Sequence, residues 1–297
     1  VVASIRELGT DILAVQELRG ADSREVTGRL RRLADDVGMR CLVITGGIPA
    51  GLRQPALAMG SRGFHNALLW RGEIEPVSAS LRTLGRGYFW HSMVMVTLDV
   101  GGHEIRHAAF HATPFGRLLR ADQNERLVAL AAPSSDPALL IGADWNTQSA
   151  DRIWDETSES WVLHEPDDPY AGRPWSPEMI YQCDWAYDER GQRRHWVDRH
   201  PGDVLWSGGL HDAAAVLGVA AQPTVGHFPG DRYAKISRRI DGVRVTAHLL
   251  DALRAHHVTD TELTRQASDH LPVTVEYDPA AVASEVPPSI VARAAAS

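Results

Sequence analysis

The chain has 297 residues, 44% of them hydrophobic, which is enough for a large core and excludes disorder over most of the length. Its formal net charge of −8 excludes an overall basic surface, the usual footprint of non-specific grip on nucleic-acid phosphates. A local basic face or a bound divalent cation is then the route by which such an anion is held. Two cysteines, Cys41 and Cys183, make neither a disulfide framework nor a zinc-type spacing and read as buried thiols, with a single bridge as the alternative. No apolar run has the length of a membrane span. No secretory leader is visible. The chain opens on Val1 rather than Met, so the compartment stays open, a cytoplasmic one being favoured unless an N-terminal segment was removed.

In chain order, Val2, Ile5 and Leu8 predict a short helix stopped by Gly9, and DILAVQEL (11–18) predicts a buried strand. A helix follows from about Arg24 to Gly38, then the strand CLVITG (41–46). HNALLWRGEIEPV (65–77) and FWHSMVMVTLDVGGHEIRHAAFHATP (89–114) are strand-rich, with DVGGHE as a hairpin turn. RLLRADQNERLVALAA (117–132) reads as a helix and PALLIGADWN (137–146) as a buried strand ending in polar residues. Strands and helices in this mixed order predict a layered α/β fold.

Between about Ser149 and Ser207 the character changes. Trp154, Trp161, Trp175, Trp185, Trp196 and Trp206 fall here with Tyr170, Tyr181 and Tyr187, and no clean period shows. The stretch predicts a loop-rich insert whose aromatic rings form a private core or, exposed, stack on bases. His195 and His200 within it are a weak metal pair. GGLHDAAAVLG (208–218) resumes helical character, and residues 279–297, rich in Ala, Pro and Ser, predict a flexible or surface-draped tail.

Four predicted strands carry polar groups at an end: Gln16 and Glu17, His111, Asp144 and Asn146, and Asp269 with His270. Each alone fits a solvated acid, an Asx turn or an edge histidine. Gathered on one sheet edge they make a site.

DILAVQE, GADWN, RRIDGV and SDHLPV resemble, in this order, the motifs of the endonuclease/exonuclease/phosphatase superfamily, the fold of pancreatic-type deoxyribonuclease. The resemblance implies a four-layer α/β sandwich, two mixed β-sheets packed face to face with helices outside, over residues 1–278, interrupted by the insert at about 149–207. It implies a metal on Glu17, with Asp269 a further acid near it; a carboxylate suits magnesium, with manganese or calcium as alternatives. It implies that Asp144 and Asn146 handle the attacking water and the phosphate. His270 is then the catalytic imidazole and Asp241 the acid that orients it. His111, in FHATP, resembles the histidine of the deoxyribonuclease branch, making His111 and His270 an acid–base pair across one phosphate.

Asn66, Arg82, Arg238 and Arg239 are candidates for substrate phosphate binding, with Arg86, Arg232 and Lys235 as further basic residues. The expected activity is metal-dependent phosphodiester hydrolysis, with DNA or RNA as substrate. The alternatives are a phosphatase or phospholipid phosphodiesterase on the same fold, or a binding module that has lost catalysis. RRIDGV stands where the inositol-phosphatase branch carries a Trp-bearing motif, which argues against that branch. One feature departs from the family: no Asn precedes Glu17, so the Asn-bearing first strand is expected to be missing or replaced, with the C-terminal tail as one replacement.

Overall fold

The computed structural model describes residues 1–46, 51–131, 137–228, 236–285 and 287. Helix α1 (Val2–Leu8) ends at Gly9 in the left-handed conformation. Strand β1 (Ile12–Arg19) follows. Helix α2 (Ser23–Val37) is capped by Asp22, whose side chain accepts the Glu25 N–H, and stops at Gly38 at φ 71°, a φ that a residue without Cβ takes freely. Next come β2 (Leu42–Ile44), β3 (Arg53–Pro55), β4 (Leu57–Ala58), β5 (Phe64–Trp70), β6 (Glu75–Pro76) and β7 (Arg82–Leu84). The long hairpin β8 (Ser92–Val100) and β9 (His103–His111) leads to helix α3 (Arg117–Ala131) and strand β10 (Leu139–Asp144).

A large sheet runs β15-β16-β10-β9-β8-β6, with β7 also on β8; here β15 is His211–Asp212 and β16 is Asp241–Val245. In it β9 and β10 pair in parallel. A small antiparallel sheet, β1-β5-β4, lies against one face of the large one. Strand alternation builds the layers. Ala14, Leu68 and Trp70 point between the sheets with Val94, Val96, Leu98 and Ala109. Leu13, Val15, Ala67 and Leu69 point the other way, onto Val26, Leu30 and Ala34 of α2. Met93, Met95, Ala108, Phe110 and Ile141 face outward from the large sheet onto Leu127 of α3 and Leu205 of helix α4 (His200–Ser207). Helix, small sheet, large sheet and helices are the four layers.

The sheets meet most closely at Gly142, where a Cβ would lie 2.9 Å from that of Ala14. Gln16 Nε2 donates to the Gly142 carbonyl at 3.0 Å across the same gap.

The layer facing the large sheet has a second piece, the hairpin β17 (Leu253–Val258) and β18 (Val273–Tyr277). Val275 and Tyr277 cover Ile105, Val243 and Val245. Tyr277 Oη and His107 Nε2 are 3.0 Å apart. Among the described residues no strand joins β18 to β1, and the Asn-bearing first strand has no counterpart there. Ala281 and Val282 pack on the same cluster, and the Ala283 N–H donates to His248 O at 2.9 Å. The rest of the tail, at 286 and 288–297, lies outside the described residues.

The insert is more ordered than its lack of period predicts. It holds two hairpins, β11 (Arg152–Asp155) with β12 (Ser160–Leu163) and β13 (Cys183–Tyr187) with β14 (Arg193–Val197). Tyr170, Met179, Cys183 and Val197 form its private core, with Trp175 against it. Helix α5 (Ala213–Val216) and helix α6 (Glu262–Ala267) complete the elements. Both cysteines are free and buried. Among the described residues no helix is long and apolar enough to cross a membrane.

Candidate active site

Four strands present one row of residues at a common edge of the large sheet. Ser92 of β8 pairs with His111 of β9, His111 with Asp144 of β10, and Asp144 with Asp241 of β16. The row is a consequence of register: each of these residues begins or ends its strand, so its side chain is released at the edge while its backbone stays in the ladder.

Asp144 is the centre. Its Oδ2 lies 3.2 Å from His111 Nε2 and 4.0 Å from His270 Nδ1. Its Oδ1 accepts the Asn146 N–H at 2.9 Å. Burial would raise its pKa, but the His111 and His270 imidazoles and the Asn146 amide overcome burial and hold the carboxyl well below the usual carboxylate range. Asn146 sits at φ 50°, a left-handed conformation that Asn tolerates. Its Nδ2 donates to Ala112 O at 3.1 Å. Trp145, between them, donates its indole N–H to Gly242 O at 3.2 Å and fills the core beneath.

His270 comes from the loop between α6 and β18. Its Nδ1 donates to Asp241 at 2.9 and 3.0 Å. Burial works to lower its pKa, and the Asp241 carboxylate, helped by Asp144 and Asp269, drives it the other way, up to about 10. His270 is therefore an imidazolium at neutral pH, with Nδ1 committed to Asp241 and Nε2 the nitrogen left for a ligand.

Glu17 stands on a β-bulge where Val15 pairs with Ala67 and Leu18 with His65. Its φ is 57°. Bulges of this kind re-aim a side chain, and here the turned carboxyl feels His111, Asp144, His270 and Asp269 at once. Desolvation raises its pKa first; Asp144 and Asp269 add to that and the two imidazoles oppose it. Asp269 is exposed beside His270. Asp144, Asp241 and His270 offer ligand atoms all within 4.8 Å of one another.

The other expected residues divide. Asn66 is buried at 1% exposure; its Nδ2 donates to the Ser92 carbonyl, one step from His111, and its Oδ1 is buried without a protein partner. Arg82 is exposed on β7, opposite Met95 and so three residues along β8 from Ser92. Arg86 Nε donates to Gly60 O at 3.2 Å. Arg238 donates to its neighbour Ile236 O at 3.0 Å. Arg239 is 5% exposed and bonds Glu165 at 2.6 Å and Asp212 at 3.2 Å. Its guanidinium is used inside the protein, which corrects its assignment to substrate. His195 and His200 belong to β14 and the start of α4. Arg232 and Lys235 lie outside the described residues.

Sequence reading missed two neighbours of the row. His91 lies flat on His111, with ring centroids 4.0 Å apart. Arg120 of α3, 1% exposed, donates to the backbone carbonyls of Asn146 and of Tyr181 in the insert. It fastens the Asp144–Asn146 turn to the aromatic insert.

No protein-family model matches the sequence, and none of the curated proteins does. Solved structures do. An endonuclease/exonuclease/phosphatase from Beutenbergia cavernae matches with a TM-score of 0.53 at 18% identity, over 92% of this chain and 64% of that one. One from Bacteroides vulgatus gives 0.57 at 12% identity, over 94% and 89%. An AP endonuclease from Archaeoglobus fulgidus gives 0.51 at 14% identity, over 94% and 93%. This chain thus spans less than two thirds of the Beutenbergia protein, and at these identities the likeness establishes the fold.

Proposed function

The chain carries the endonuclease/exonuclease/phosphatase fold, and on that premise we propose that it is a divalent-metal-dependent phosphodiesterase acting on nucleic acid. The observation that carries the reading is the edge row, where His111, Asp144 and Asp241 stand on neighbouring strands and His270 closes onto Asp241 at 2.9 Å.

The donor set fits a hard cation. Four carboxylates, Glu17, Asp144, Asp241 and Asp269, face two imidazoles, and Arg19, 4.0 Å from Glu17, is a long, exposed pair. Glu17 and Asp269 would hold the ion, magnesium or manganese by their oxygen chemistry, and bound there it supplies charge neutralisation at the phosphate and the departing oxygen.

The residues divide the remaining work by their protonation. Asp144, held ionised, takes the proton of the attacking water. His270, an imidazolium, grips a non-bridging phosphate oxygen through Nε2 while Asp241 fixes its ring. His111 is 2% exposed with Nε2 on Asp144. It orients and charges Asp144 from behind, where the resemblance implies one half of an acid–base pair across the phosphate. Asn146 presents the amide that holds the other oxygen of Asp144. General acid–base and electrostatic contributions of this kind are each worth about 10²–10⁴-fold.

The test is turnover of plasmid, single-stranded DNA, RNA and bis(p-nitrophenyl) phosphate, with and without EDTA. Cleavage that EDTA abolishes, and that Asp144→Asn and His270→Ala each lower by about 10²-fold or more, is the expected result. No metal-dependent turnover of any diester by the unmodified protein would sink the reading, and turnover confined to sugar phosphates would move it to a monoesterase.

A further inference from the structure

Two sets of aromatic contacts, joined through the chain at Trp90–His91, flank the buried end of the row. His91 stacks on His111. Trp90, next in the chain, meets Phe115 edge to face at 6.3 Å. Phe115 meets Tyr181 edge to face at 5.2 Å. Phe115 is 38% exposed; Leu119, four residues on, is 42% exposed, and Ile180, next to Tyr181 in the chain, is 45% exposed. Hydrogen bonds hold the turn that follows His111, which carries Phe115, against α3. The Thr113 N–H donates to Gln123 Oε1 at 3.0 Å, and Thr113 Oγ1 donates to Phe115 O at 2.9 Å. Arg120 ties Tyr181 to Asn146. Such a ledge, exposed apolar rings gathered beside a polar site, marks a ligand-binding surface.

Charge says what it binds. The chain is acidic at −8, and Arg239 is spent on Glu165 and Asp212. Grip on a long run of phosphates needs many free cations. Grip on one phosphate plus a base needs an aromatic face, and each stacked base contributes about 1–3 kcal/mol. A continuous duplex keeps its base faces inside its own stack and cannot offer one to the ledge.

We propose that Phe115 and Tyr181, backed by Trp90, stack the nucleobase flanking the bound phosphate, so that the substrate is single-stranded nucleic acid or a short nucleotide diester rather than continuous duplex. This rests on the phosphodiesterase reading of the row and adds its substrate class.

The test is binding in EDTA, so that no cleavage occurs, read by fluorescence anisotropy. The probes are a labelled short oligothymidylate, the same backbone with every base replaced by hydrogen, and a duplex of equal length. The unmodified protein is expected to favour the oligothymidylate. Phe115→Ala should weaken that binding about five- to a hundredfold and leave the abasic strand unchanged, and Phe115→Trp should restore it. Equal binding of the abasic strand and the oligothymidylate, or of duplex and single strand, overturns the proposal. So does a Phe115→Ala variant that binds like the unmodified protein. If Asp144→Asn still abolishes diester cleavage in those cases, the ledge fails while the phosphodiesterase reading stands.

Discussion

The imidazoles of His91 and His111 lie face to face, ring centroids 4.0 Å apart and planes 15° from parallel. Both Nδ1 atoms are buried without a protein partner. Burial, reinforced by His111, pushes His91 down to about 3, so His91 is neutral at any working pH. It gives His111 a flat surface to rest on and leaves Asp144 as the acceptor of the His111 Nε2–H. His91→Ala should therefore let His111 tilt and lower kcat, by up to about 10²-fold, since small misplacements cost that much. His91→Phe should recover most of it by restoring the ring. KM should stay near the unmodified value in both variants, because His91 sits behind His111 and does not touch substrate. Steady-state kinetics on a chromogenic diester checks all three points.

His270 and Asp241 predict a pH dependence of stability. In the folded protein the Asp241 carboxylate overcomes burial and holds His270 at about 10, against an ordinary 6.5. The folded chain therefore binds the proton more tightly than the unfolded one. The stabilisation is complete below about pH 6.5 and fades as pH rises through about 10. Urea denaturation of the metal-free protein should show stability from this pair falling between those values. Asp241→Asn should flatten the dependence and bring the His270 titration, followed by NMR, down from about 10.

How far the site could be read beforehand depended on whether its information was local. His111, Asp144 and Asp241 each stand beside a run of alternating or continuous apolar residues, so the strand and its polar end are visible together. The turn at Gly101 and Gly102 also implies the β8–β9 register that sets Ser92 opposite His111, and hence His91 beside it. Arg120 gives no such clue, because a charged residue in a helix of mixed polarity reads as solvated. Arg239 is obscured for the same reason in reverse. In a run of basic residues it looks like a surface patch, and its partners Glu165 and Asp212 lie 74 and 27 residues away. The insert hid its two hairpins because large aromatic rings carry strand and core alike without a two-residue alternation.

Arg239 should accordingly behave as a structural residue. Arg239→Met removes the cation between Glu165 and Asp212, both of which are nearly inaccessible to water. Breaking a buried pair from one side leaves uncompensated charge and costs about 3–5 kcal/mol. The expected result is a drop of that size in unfolding free energy by urea titration. A variant of unchanged stability with a raised KM would return Arg239 to the substrate.

Glu17 joins two claims, one about backbone and one about charge. Its φ of 57° is costly for a residue with a Cβ, by about 1 kcal/mol or more, and such conformations persist where a site uses them. Glu17→Gly keeps the bulge without that cost, and Glu17→Gln keeps the shape while removing the charge that Asp144 and Asp269 repel. Neither variant should destabilise the metal-free protein. Each should lose the cation. A ligand present at 100 times its dissociation constant stabilises a fold by about 2.7 kcal/mol. Manganese should thus raise the Tm of the unmodified protein, while Glu17→Gly and Glu17→Gln should bind manganese at least about tenfold more weakly and show little or no rise at the same concentration. Calorimetric titration separates this from a general salt effect. If Glu17→Gln binds manganese as tightly as the unmodified protein, the ion sits elsewhere, and the trio Asp144, Asp241 and His270 becomes its holder.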